Sequence, residues 1–196
     1  GDLNADGKTD LAVGAYGYPS ASNKGRAYIF WNDGTGADFG TVACSTGCLA
    51  ANADAIITGE NNSDVFGASL ATGDLNADGK TDLAVGAYGY PSGSNKGRAY
   101  IFYSQNNFPV SASSADKIIT GENDNDYFSA SLATGDLNAD SKTDLAIGAS
   151  GAASGDGNFY VIISEAAKAT PAELNQMQTN GRARGNMKFR GNVKLR

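Results

Sequence analysis

The sequence predicts an all-β fold, a partial β-propeller of about three four-stranded blades, and three observations predict it. One long motif recurs three times in register. Each recurrence resolves into short β-branched and aromatic runs bounded by Gly, Asn and Pro. Residues 1–163 show no 3.6-residue apolar period of the kind a helical repeat requires.

The recurrence is close to literal. Residues 1–18 read GDLNADGKTDLAVGAYGY, residues 73–90 read the same, and residues 135–151 read GDLNADSKTDLAIGASG. GRAYIF stands at 25–30 and 97–102, and IITGEN at 56–61 and 118–123. FGASLATG at 66–73 is echoed by FSASLATG at 128–135. In the unit at 66–120, ASLATG is the first predicted strand, DLAVGAY the second, GRAYIF the third and IIT the fourth. Four short strands in a unit of ~60 residues, joined by turns, describe a propeller blade. The first unit lacks its first strand, and the third shows no evident fourth. Such an arc is short of the roughly 4–8 blades that close a ring, so the remainder of a longer chain, or failing that partner copies, is expected to complete it.

The first unit is ten residues longer than the second, and the extra segment holds Cys44 and Cys48. Two cysteines alone cannot build a structural zinc site, which takes four ligands. Their spacing leaves open a local disulfide in an oxidising compartment or two free thiols.

After residue 163 the composition changes. Thr170-Pro171-Ala172-Glu173 supplies an N-cap, a Pro at the first helical position and a capping-box Glu. A short helix is expected over 171–179, with Leu174 and Met177 on one face and Asn180-Gly181 ending it. GNMKFR and GNVKLR follow in tandem, alternating apolar and basic residues like a hairpin-like β tail. The chain therefore divides into blades over 1–163, a linker with a short helix over 164–184, and the start of a basic β segment over 185–196.

Charge narrows the function classes. Residues 1–163 carry 8 Lys and Arg against 19 Asp and Glu, while 164–196 carry 7 against 2. An acidic body argues against nucleic acid as its partner. No apolar run approaches the roughly 20 residues of a membrane span, so membrane insertion is not expected. The sequence has 0 His, which removes His-based triads, His metal sites and His general bases together.

Each unit carries Asp-x-Asn-x-Asp-(Gly/Ser)-x-x-Asp. The members are Asp2, Asn4, Asp6 and Asp10; Asp74, Asn76, Asp78 and Asp82; and Asp136, Asn138, Asp140 and Asp144. Oxygen donors at alternate positions converge when the chain curls, which suits a hard cation taking six to eight oxygens. The backbone carbonyls of Lys8, Lys80 and Lys142 at position seven would add a donor while their side chains face solvent. The reading is Ca²⁺ at up to three sites. Mg²⁺ fits less well, because it insists on octahedral geometry and retains several waters. An EF-hand would carry Glu at position twelve between helices, whereas Val13, Val85 or Ile147 stands there between strands. The plain alternative is an Asx-type turn without metal. Ser141 replaces the position-six glycine in the third loop, at a cost of about 1 kcal/mol if the turn is left-handed. The second loop is therefore the best built, the third next, and the first, with no preceding strand to hold Asp2, the least.

The combination of Phe66-Gly67, the loop at 74–82 and Gly86-Ala87 resembles the FG-GAP repeats of integrin α-chain propellers and of many secreted bacterial proteins. The third unit carries Phe128-Ser129, 136–144 and Gly148-Ala149, and the first carries 2–10 and Gly14-Ala15. The final Pro of the family motif is replaced by Tyr16, Tyr88 or Ser150. The resemblance implies a propeller of about seven blades, a calcium loop joining the first two strands of each blade, and an extracellular or cell-surface binding role.

Function follows as an expectation: a calcium-binding scaffold for adhesion or for a protein or glycan ligand, the calcium being structural, with no enzymatic activity. Three near-copies of one site point to architecture, since a catalytic centre is usually singular. An accessory propeller of a secreted hydrolase is the alternative, and a purely structural stalk is a third. Tyr16, Tyr18, Tyr88 and Tyr90 are candidates for a ligand platform or for packing between blades. Asn61-Asn62-Ser63 matches a glycosylation acceptor.

Overall fold

A computed structural model describes residues 1–32, 34, 50–104, 107–151 and 157–163. Cys44, Cys48, the helix expected at 171–179, and the 164–184 and 185–196 segments lie outside the described residues.

Strands form where β-branched and aromatic residues alternate with small ones, and they pair as antiparallel meanders. β1 (Leu11–Ala15), β2 (Arg26–Phe30) and β3 (Ala55–Thr58) make the first sheet. β4 (Ser69–Gly73), β5 (Asp82–Ala87), β6 (Arg98–Phe102) and β7 (Lys117–Thr120) make the second. β8 (Phe128–Gly135), β9 (Asp144–Ala149) and β10 (Asn158–Ile162) make the third. The all-β, blade-like expectation holds, with 3, 4 and 3 strands per sheet among the described residues. Register repeats with the sequence: Leu11 lies opposite Phe30, Leu83 opposite Phe102, and Leu145 opposite Ile162. Two single-turn 3-10 segments, at Ala50–Asn52 and Ala112–Ser114, precede β3 and β7 and were not anticipated from sequence.

The period of two sorts side chains onto the two faces of the middle sheet. Leu83, Val85, Ala87, Tyr100 and Phe102 pack with Ala27, Ile29 and Ile57 of the first sheet. Ala84, Ala99 and Ile101 pack with Leu145, Ile147, Ala149 and Tyr160 of the third. Every residue of β5 is consequently buried. Phe66 and Phe128, at the entry to each following blade, sit edge-on against Tyr100 and Tyr160 respectively.

Neighbouring blades approach through backbone. A Cβ on Gly14 would strike the Gly67 carbonyl, and one on Gly86 would strike that of Ser129, so both positions need glycine. The linker into the second blade runs alongside residues 22–25. Ser63 N–H donates to the Ser22 carbonyl at 2.6 Å, and Val65 N–H to that of Asn23 at 3.1 Å. Asn125 N–H on Ser94 (2.6 Å) and Tyr127 N–H on Asn95 (3.0 Å) repeat this one blade later.

Candidate metal centre

The nine-residue loops occupy the turn that leads into β1, β5 and β9, and all three are built alike. In the second, Asp74 accepts through Oδ1 from Asp78 N–H and through Oδ2 from Gly79 N–H, both at 2.9 Å. Asn76 Oδ1 also accepts from Asp78 N–H (2.9 Å), and Asp78 Oδ1 accepts from Lys80 N–H (2.9 Å). Loops one and three repeat the set with Asp2, Asn4 and Asp6 and with Asp136, Asn138 and Asp140. These are Asx-type turns: each short side chain holds an amide two to five residues ahead and winds the chain tightly.

The winding needs two left-handed residues. Position six is left-handed in every loop, with φ of +88° at Gly7, +85° at Gly79 and +67° at Ser141. The third loop thus keeps the conformation although serine is strained there. Ala5, Ala77 and Ala139 are also left-handed, at +60°, +60° and +62°, although alanine carries no preference for that region.

The ninth-position aspartate faces inward. Asp82 is fully buried; its Oδ2 accepts from Leu75 N–H and its Oδ1 from Ser104 N–H, each at 2.9 Å. Asp10 does the same with Leu3 N–H (2.8 Å) and Asn32 N–H (2.9 Å). Leu3 and Leu75 drop from the loop into the two cores beneath. The ninth residue therefore ties the loop to the end of the third strand, and each of its oxygens retains a lone pair. Burial pushes the Asp82 carboxyl up to about 6 against the pull of the two amides, and repulsion from Asp78 and Asp74 adds to the rise.

The predicted donors are thus gathered within one curled loop each. Among the described residues no three Asp, Glu, Cys or His side chains already stand around a single point. The Asn76 amide instead donates to Asp78 Oδ2 at 3.0 Å, pinning those two side chains to each other. The donor chemistry nevertheless fits a calcium ion. Carboxylate, amide and main-chain oxygens are hard ligands, and the mutual repulsion felt at Asp82 is relieved by a cation.

Sequence reasoning missed a second cluster, at the joint between the first two blades. Arg98 Nη1 pairs with Glu60 Oε1 at 3.0 Å, its Nε donates to Thr120 Oγ1 at 2.9 Å, and its guanidinium lies 3.4 Å from the Tyr90 ring centroid. Burial and the Glu60 carboxylate hold the Tyr100 hydroxyl above the usual phenol range. The signal was present in the recurring Gly-Glu-Asn after the fourth strand, noted above only as a repeat. Of the four loop tyrosines, Tyr90 and Tyr18 each carry a stacked guanidinium (Arg98 and Arg26), Tyr88 packs on Tyr127, and Tyr16 and Tyr18 are exposed.

Comparison with known proteins matches the family described as FG-GAP repeat at residues 1–30, 66–102 and 128–162, one match per sheet. The chain belongs to the FG-GAP repeat family. Relatives of this FG-GAP chain include phosphatidylinositol-glycan-specific phospholipase D of Bos taurus, 33% identical over 198 residues, covering 96% of the chain and 22% of that protein. The Homo sapiens protein of the same name is 33% identical over 195 residues, with the same coverage. Integrin alpha-IIb of Mus musculus is 40% identical over 112 residues, covering 53% of the chain and 10% of the integrin. The FG-GAP chain spans 22% of the length of the phospholipases it matches across nearly its whole extent. Among its described residues no helix is long and apolar enough to cross a membrane.

Proposed function

We propose that this chain is a calcium-stabilised propeller segment of an extracellular or cell-surface protein, acting as a binding scaffold for a protein or glycan and not as a catalyst. The observation that carries the reading is the threefold copy of one oxygen-rich loop, with the same hydrogen bonds each time. The holders would be Asp74, Asn76, Asp78, the Lys80 carbonyl and Asp82, with their counterparts in the other loops. Calcium supplies charge neutralisation there. The chain's own residues wind the turn, bury the ninth carboxylate and anchor Leu75 in the core. An ion bound by the folded loop and not by the unfolded chain stabilises the fold.

Thermal unfolding followed by circular dichroism, in millimolar calcium and in excess chelator, tests this. A rise in Tm of about 5 °C is expected for wild type, from ~2–3 kcal/mol of linked binding. Asp78→Ala should show a smaller rise. A folded chain whose Tm ignores calcium would sink the metal assignment.

A second reading, an accessory propeller in a secreted hydrolase, is favoured by the phospholipase matches, which cover 96% of the chain against 53% for integrin alpha-IIb. The carboxylates available for acid–base chemistry in the loops are those assigned to the ion, so the chain alone should not turn over substrate. Phospholipase activity in the isolated 196-residue chain would refute both non-catalytic readings.

A further inference from the structure

We infer that the Tyr103 hydroxyl is an outer oxygen of the second loop's ion site, joined to the ion through one water, and that it makes this loop bind calcium more tightly than its two copies; this rests on the calcium reading above. Tyr103 is thereby a positioning residue. It holds a ligand of the ion and is not one itself.

The three loops carry the same donor residues, so any difference between them comes from their surroundings. One neighbour does differ in kind. Phe30, Phe102 and Ile162 lie opposite Leu11, Leu83 and Leu145, which makes the next residues, Trp31, Tyr103 and Ile163, equivalent. Of these three, Tyr103 alone brings a hydroxyl. Its backbone is pinned beside the loop. Tyr103 N–H donates to Asp116 Oδ2 at 2.8 Å, Ser104 N–H to Asp82 Oδ1 at 2.9 Å, and Ser104 Oγ to the Leu3 carbonyl at 3.0 Å. Its ring packs against the core that takes Leu75, the residue after Asp74. Tyr103 is therefore tied to the loop at its ninth residue and shares a core with its second.

The hydroxyl at the end of that ring is buried and hydrogen-bonds to no group among the described residues. A buried polar group in that state is costly. Its surroundings are acidic: burial above all holds the phenol above its usual range, and the Asp82, Asp116 and Asp78 carboxylates add to the rise. A hydroxyl that feels three carboxylates and bonds to none of them stands about one water away from them. The neutral phenol both accepts and donates, so it can take a hydrogen bond from an ion-bound water and return one towards a carboxylate. Calcium takes six to eight oxygens, and five residues of the loop are assigned to it, which leaves room for such a water. Partners of this outer kind fix a ligand's orientation and commonly change metal affinity about 10–100-fold.

The test is calorimetric titration of the full chain with calcium, wild type against Tyr103→Phe, with Asp78→Ala marking which site belongs to the second loop. Tm in excess chelator is read on the same proteins. Tyr103→Phe should weaken the site that Asp78→Ala removes by about tenfold and leave the others unchanged. In chelator it should melt at or above wild type, because it deletes a buried hydroxyl that has no partner. A weaker ion site in a fold that is no weaker is a pair of results that a packing role cannot give. Equal calcium affinities in wild type and Tyr103→Phe would overturn the inference and leave the calcium reading standing. A Tyr103→Phe chain that loses as much Tm in chelator as in calcium would assign the hydroxyl to the fold and overturn it too. Absence of calcium binding by wild type would overturn both.

Discussion

Residues 1–18 and 73–90 are the same eighteen amino acids in two environments. In the second copy Leu83 and Val85 are sealed between the first and middle sheets; in the first copy Leu11 and Val13 stand on a sheet edge. Loop geometry does not differ. Asp2 and Asp74 hold the same amides at the same distances to within 0.1 Å, and the position-six glycines share a left-handed φ. Local sequence therefore dictates the turn, while burial belongs to whatever lies alongside. A repeat protein divides its stability in this way, between intrinsic unit terms and nearest-neighbour interfaces.

The most direct way to break the comparison is to delete the same side chain from both copies. Leu83→Ala removes atoms that are wholly enclosed and should cost about 2–5 kcal/mol. Leu11→Ala removes half-exposed atoms and should stay within about 0.5–1 kcal/mol. Denaturant unfolding of both variants gives the ratio. Equal losses would mean that β1 is covered in solution and that the two environments are the same.

A smaller effect sharpens the polar side of the contrast. Glu60→Gln leaves Arg98 without its acid at a joint where both side chains are more than four-fifths buried, and should cost about 1 kcal/mol. Arg26→Gln, at the copy with no acid on the guanidinium among the described residues, should cost little or raise stability slightly, because it removes a buried unsatisfied Nε. Matching losses from the two changes would show that Arg26 has found a partner after all.

The sequence carried much of this and stopped at identifiable places. Strand positions were legible because alternation and turn residues are local, and β5, β6 and β9 fall where the runs predicted. The loops were legible for the same reason, since Asx turns are closed within nine residues. What lay beyond reach was non-local. Nothing in LAVGA distinguishes the copy that packs on Ile29 and Ile57 from the copy on the edge. The inward tie from Asp82 to Ser104, 22 residues away, was likewise hidden, so the ninth aspartate read as a ligand and not also as a clip. The left-handed alanines at 5, 77 and 139 are a third case: alanine carries no preference for that region, and the turn's hydrogen bonds impose it.

The smallest effect concerns Asp64, in the linker that closes the occupied corner. Its Oδ2 accepts from Asn61 N–H at 2.7 Å and from Asn61 Nδ2 at 3.3 Å, while Oδ1 is buried without a partner. Burial raises its carboxyl above the ordinary aspartate value of 3.8, the Asn61 hydrogen bonds oppose the rise, Glu60 adds to it and Arg98 counters it. A carboxyl that holds its proton more tightly in the fold stabilises the fold fully below 3.8 and loses that contribution as pH rises through the folded value. Asp64→Asn removes the titration and keeps the shape. Its Tm should match wild type in acid and exceed it by a degree or two near neutrality, on the order of a few tenths of a kcal/mol. The first copy offers no equivalent carboxylate at its open corner among the described residues, so the difference belongs to the filled corner alone. Parallel Tm curves for the two proteins from pH 3 to 7 would show that water reaches Asp64, and that the linker seals the joint less completely than its buried side chains imply.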